Sequence, residues 1–190
     1  MLPNFLTLEN AANVPPLTTA QKFKVVTRES FDISVYPYVA FVAALSQADK
    51  SDRGYGQGWG AYGERVGAAF GDATIENYMT GAIFPSLLHE DPRYYQMGKG
   101  GFWRRAGYSA SRIVITRTDT GAKQFNYSEL IGSATAAGIS NIYHPDTDRT
   151  ISNTMTVWAS QVAWDTFTVE LKEFWPDIRR SVSRHKTKQN

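Results

Sequence analysis

Between residues 56 and 71 five glycines recur at three- and four-residue steps: Gly56, Gly60, Gly63, Gly67 and Gly71. On a helix that spacing sets them along one stripe. Each glycine inside a helix costs about 1 kcal/mol relative to alanine. A chain that keeps several of them needs a compensating gain, and the commonest is close approach of a second helix backbone. The stretch Gly60 to Leu88 is therefore expected to be a helix packed tightly against another. The rival meaning of such glycines is a phosphate loop. No strand precedes them and no Gly-Lys-Ser/Thr follows, so that rival lacks its context. The small-residue pattern returns in "SELIGSATAAGISNIY", where Gly132, Ala136 and Ser140 stand four apart.

The remaining segments follow the same helical period. "TTAQKFKVV" opens a helix, with Thr18 and Gln21 spaced as a capping box. "YPYVAFVAAL" makes a second, with Pro37 tolerable only in its first turn. Phe102 to Thr118 reads as another. The longest spans about Ser152 to Trp175, where Trp164, Phe167, Leu171 and Phe174 form an apolar stripe that Pro176 stops. No alternating strand and no Asn-Gly or Asp-Gly hairpin stands out. The expectation is an all-α, single compact bundle of about six helices with small-residue contacts. An extended arm (1–17) precedes the helical domain (18–180), and a basic tail (181–190) follows it.

Hydrophobic residues at 42% and charged residues at 20% suit a globular chain. No run approaches the roughly eighteen apolar residues of a spanning helix. The absence of cysteine excludes disulfides and thiol chemistry. Charge is unevenly spread: 7 basic against 10 acidic side chains up to residue 98, then 13 against 8. In the basic half, Arg104, Arg105, Arg112 and Arg117 accompany Phe102 and Trp103. That grouping points to an anionic ligand, either membrane lipid headgroups or an envelope protein partner. A nucleic-acid reader would carry a stronger bias and a recognisable motif, so nucleic-acid binding by the basic C-terminal half stands last.

Two clusters carry candidate chemistry. In "LLHEDPRYY", His89 and Glu90 are placed for proton transfer, with Asp91, Arg93 and Tyr94 positioning them. The bland alternative is a helix ending near His89 or Glu90, because Asp91 precedes a proline. In "NIYHPDTDRT", His144, Asp146 and Asp148 alternate and could point one way. Such N and O donors suit a divalent metal, while the plain reading makes the aspartates helix caps. Serine chemistry is weak: "GYSAS" lies inside a helix, and Ser183-x-x-Lys186 lies in the tail.

The blocks "YMTGAIFPSLLHEDPRYY", "GFWRRAGYSASRIVITRTDTG", "GISNIYHPD" and "KEFWPDIRR" together resemble a group of bacterial proteins that carry an export signal and are assigned to the cell envelope. The resemblance runs from about Leu2 to Arg180. It implies a periplasmic or envelope location, a leader missing from this chain, and no particular chemistry. Relatives carry an aromatic residue where His144 stands, which weighs against a metal there, so no cofactor is the expectation. The leading expectation is an envelope protein with a structural or interaction role at the membrane surface. A hydrolase using His89 and Glu90, with or without metal, is the alternative.

Overall fold

The structure is a computed structural model that describes residues 6–8 and 14–188, with 182–188 described by backbone alone. The Ser183–Lys186 pair therefore lies outside the described side chains. So do residues 1–5 and 9–13 of the arm.

Helix α1, Thr19–Ser30, starts where its cap dictates: Gln21 N donates to Thr18 Oγ1 (3.3 Å) and Thr18 N to Gln21 Oε1 (2.8 Å). Helix α2, Val35–Asp49, holds Pro37 in its first turn, where a missing N–H is harmless. Helix α3, Trp59–Tyr78, continues through a π-helical turn, Met79–Ile83, into the short α4, Phe84–Leu87, as one rod. Helices α5 (Phe102–Ser111), α6 (Tyr127–Ser140) and α7 (Ile151–Lys188) complete an all-α bundle. Among the described residues no helix is long and apolar enough to cross a membrane.

Helix α6 lies at the centre, against α3, the π turn and α7. Its inward positions are small, with Gly132, Ser133, Ala136, Ala137 and Ser140 buried. A Cβ on Gly132 would sit 3.2 Å from Met79 C and from Thr80 N, so the two backbones nearly touch. A Cβ on Gly81 would meet Val26 Cγ2 of α1 at 2.7 Å. Small residues thus admit close helix contact at these places. They do not do so along the stripe. Around Gly60, Gly63 and Gly67 an added Cβ meets nothing within 4 Å, Gly56 is a loop residue, and only Gly71 touches anything, the Tyr143 ring at 3.5 Å.

Three further expectations are corrected. The helix from Phe102 ends at Ser111, because Ile113, Val114, Ile115, Thr116 and Thr118 are β-branched and favour a pleated strand. Strand β4, Ile115–Thr118, pairs antiparallel with β5, Lys123–Phe125, and with β2, Glu90–Asp91. Gly121, at φ 89°, supplies the left-handed residue of the hairpin turn. In the arm, β1, Thr7–Leu8, runs parallel to β3, Tyr94–Tyr95.

The third concerns Pro176, which does not stop α7. Its missing N–H leaves the Lys172 carbonyl without a helical donor, and Gln96 Nε2 donates there instead (3.0 Å). The Glu173 carbonyl receives Gln96 Nε2 (2.7 Å) and Arg105 Nη2 (2.6 Å). With those carbonyls satisfied, the helix passes through the proline.

Candidate functional site

The segment after α4 is held from several sides. His89 takes a left-handed turn (φ 54°) and its carbonyl accepts from Asp119 N (2.8 Å). Its side chain faces outward. Lys22, fully buried on α1, clamps the turn by donating Nζ to the carbonyls of Pro85 (3.1 Å) and Glu90 (2.7 Å) and to Asp119 (3.0 Å). Glu90 is buried and accepts from Gln124 Nε2 (2.6 Å) and Ser128 N (3.0 Å). Asp91 accepts from Arg93 Nε (2.8 Å), Arg93 Nη2 (2.6 Å) and Tyr95 Oη (2.5 Å). Burial opposes its charge, but these donors outweigh burial and hold its pKa below the usual range. Burial and then Asp91 push the Tyr95 phenol up to about 12. The five residues proposed for acid–base work are therefore split: His89 stands outside while the other four are engaged inside.

The arginines divide likewise. Arg105 is buried and gives Nε to Glu173 (2.8 Å) and Nη1 to Asp177 (2.5 Å). Glu173, wholly buried, also accepts from Tyr94 Oη (2.6 Å), Met97 N (3.0 Å) and Gly98 N (3.0 Å). That hub ties the block around Tyr94 to the "KEFWPD" block on α7. Arg112 lies over the Tyr108 ring at 4.7 Å and Arg117 over Tyr95 at 4.1 Å. Arg104 alone of the four faces solvent. The four arginines do not form one anion-binding surface, because the helix ends at Ser111 and Arg117 lies on strand β4.

Asp91, Arg93, Tyr94, Arg112 and Arg117 do share one feature: they line a chamber of about 410 Å³ inside the bundle. Its apolar wall includes Val35 and Tyr38 of α2 and Trp164, Leu171 and Trp175 of α7. Also on its lining is a cluster that sequence reasoning missed: Glu76 of α3, Glu129 of α6 and Asp165 of α7. The Asp165 carboxyl is within hydrogen-bond reach of both glutamates. Burial first, then the neighbouring carboxyl groups, push Glu76 up to about 9 and Glu129 well above its ordinary value; burial likewise raises Asp165. Three carboxylates this close in a low dielectric cannot all ionise, so they hold protons.

His144 sits elsewhere, buried, with Nε2 bonded to Asp72 Oδ2 (3.1 Å), where Tyr143 Oη also donates to Asp72 (2.5 Å). Burial disfavours the imidazolium, but Asp72 outweighs it and raises the pKa. Asp146 pairs with Arg149 (2.7 Å) and Asp148 accepts from Gly54 N (3.0 Å). The metal expectation at His144, Asp146 and Asp148 is thereby corrected, since each has turned to a different partner. Among the described residues no group of three His, Cys, Asp or Glu side chains is placed to hold a metal ion.

A faint signal for the missed acids exists. Gln161, Asp165, Thr168 and Lys172 recur at helical spacing beside the aromatic stripe of α7, which a purely apolar stripe would not show. Glu129 at the start of α6 reads as an ordinary first-turn acid, and Glu76 stands alone among small residues. Compared with protein-family models, with curated proteins and with solved structures, the chain matches none.

Proposed function

We propose that this protein is a binding protein that takes a small organic ligand into its interior chamber, in the bacterial cell envelope that the resemblance implies. The observation that carries this reading is the chamber itself. At about 410 Å³ it has the size of small-molecule sites, with apolar and aromatic walls and a few convergent polar groups. The Asp91–Arg93–Tyr95 and Arg105–Glu173 networks fix the walls, so the cavity is built before a ligand arrives. Substituting Ala73, which lines the chamber, with Trp fills it. In a thermal-melt screen of small organic molecules the parent protein gains melting temperature with some ligands. Ala73→Trp gains nothing while keeping its helical circular dichroism. Equal shifts in both proteins contradict the reading.

One observation favours a second reading, attachment to a membrane surface. Trp103 is 84% exposed, beside exposed Phe102, Lys99 and Arg104 at the start of α5. Aromatic and basic side chains together suit the interface of an anionic bilayer. Flotation with vesicles containing phosphatidylglycerol tests it. Co-flotation that Trp103→Ala with Arg104→Ala abolishes supports it, and no co-flotation at low salt ends it. His89, exposed and outside the chamber, leaves the hydrolase without a favouring observation. For nucleic acid, Arg105 is consumed by Glu173 and Asp177, and the basic tail from residue 182 lies outside the described side chains.

A further inference from the structure

The acid-lined end of the chamber is more than a cluster of carboxylates. Glu76 Oε1 and Glu129 Oε1 are buried and, apart from the protons the three acids share, no described side chain or backbone group donates to them. Ser128, only 3% exposed and on the chamber lining, has a buried Oγ with no partner at all. Unfilled polar atoms of this kind cost free energy and are rare in folded proteins. The nearby cation does not fill them: Lys172 Nζ lies 3.7 Å from Glu29 of α1. Among the described residues six carboxyl groups line the chamber, with Lys172 and three arginines. Asp91 is taken up by Arg93, Glu90 by Gln124 and the Ser128 N–H, and Glu29 by Lys172, which leaves Glu76, Glu129 and Asp165 with one another. Burying carboxyl groups with so few partners is costly, and a cation bound among them would offset that cost.

The organic walls say which kind. Tyr38 meets Trp164 edge-on at 5.6 Å. It is close enough to Glu76 and Asp165 that their charge adds to burial in pushing its phenol up to about 12. Carboxylates beside aromatic faces are the recognition chemistry of organic ammonium ions. The donors are not arranged for a metal. Resting on the reading of the chamber as a ligand site, we propose that Glu129, Asp165 and Glu76 bind an organic ammonium ion, with its carbon body against Tyr38 and Trp164.

The N–H groups of the ligand then stand where the acids' own protons stood. One carboxyl ionises as the cation enters, and its proton leaves to solvent. The groups that set this exchange come from every helix around it: Glu29 on α1, Tyr38 on α2, Asp72 and Glu76 on α3, Glu129 on α6, and Asp165 and Lys172 on α7. Because one proton leaves per cation bound, affinity rises by about tenfold per pH unit while the acids remain protonated and the amine charged.

Isothermal titration with hexylamine hydrochloride and with 1-hexanol, on the full chain at pH 7 in phosphate and in Tris, tests this. Hexylammonium binds with release of about one proton, read from the difference between buffers. Glu129→Gln weakens it at least tenfold and leaves hexanol unchanged. Glutamine replaces a protonated glutamate at equal shape, so the variant folds; should its helical signal be lost, Asp165→Asn takes its place. Equal binding of amine and alcohol in both proteins overturns the ammonium proposal and leaves the ligand chamber standing. Failure of both probes to bind overturns both. A rise in melting temperature with Mn²⁺ that Glu129→Gln removes also overturns the proposal, by showing that the acids hold a metal.

Discussion

The two halves of the rod from Trp59 to Leu87 use small residues in opposite ways. In the first half Gly60, Gly63 and Gly67 face open space, while α2 packs on another side of the helix. In the second half Gly81 lies against Val26, and Gly132 of α6 lies against the backbone of Met79 and Thr80. There the π turn interrupts the regular ladder, a feature often found beside functional sites. It stands one turn from Glu76 and beside the chamber. Helical spacing thus shows that residues share a face. Whether anything covers that face is decided elsewhere in the chain.

The comparison predicts a graded set of stability changes, measured by urea unfolding. Gly132→Val drives a branched side chain into main-chain atoms that cannot move away, and lowers stability by about 3 kcal/mol. A loss below about 1 kcal/mol would show that the helices separate easily. Gly81→Ala meets a stiff valine methyl group and costs about 1–2 kcal/mol; paired with Val26→Ala, much of that cost is recovered.

Next comes pH, which separates the halves by Glu76. Its folded pKa, about 9, lies above the ordinary carboxyl value. Its contribution to stability is therefore complete below about pH 4.5 and is lost as pH rises toward 9. Melting temperature falls across that window, and Glu76→Gln flattens the fall by several degrees. An unchanged profile would mean that Glu76 ionises freely. The smallest effect has the opposite sign: Gly63→Ala and Gly67→Ala enter open space in a helix and each add about 0.5–1 kcal/mol. If either destabilises, the exposed stripe has a contact of its own.

What was legible in the sequence was local. The Thr18–Gln21 box, the placement of Pro37 and the helical period of α6 act within a turn or two, and each forms as its residues dictate. What escaped depended on distant partners. Pro176 reads as a stop until Gln96 and Arg105 arrive at the freed carbonyls. The arginine spacing in residues 105–117 hid a β-branched run that becomes strand because Glu90 and Asp91 offer an edge. His89 is of the residue type that suits proton transfer, yet it forms an exposed turn. The working acids were obscured because Glu76, Glu129 and Asp165 lie on three helices, and only packing places them together. The basic half misled in a similar way, since Arg105 is consumed by Glu173 and Asp177.

The claim on which this account turns is that Glu76, Glu129 and Asp165 share protons in the chamber at neutral pH. Carbon-13 NMR of the side-chain carboxyl groups, with Glu129→Gln and Glu76→Gln to assign them, measures it directly. The account predicts that at pH 7, without ligand, the Glu76 and Glu129 carbons resonate at protonated positions and move to ionised positions only at alkaline pH or on adding hexylammonium. If both carbons are already ionised at pH 7 and titrate near pH 4.5, the acids are ordinary surface-like carboxylates and the account is wrong.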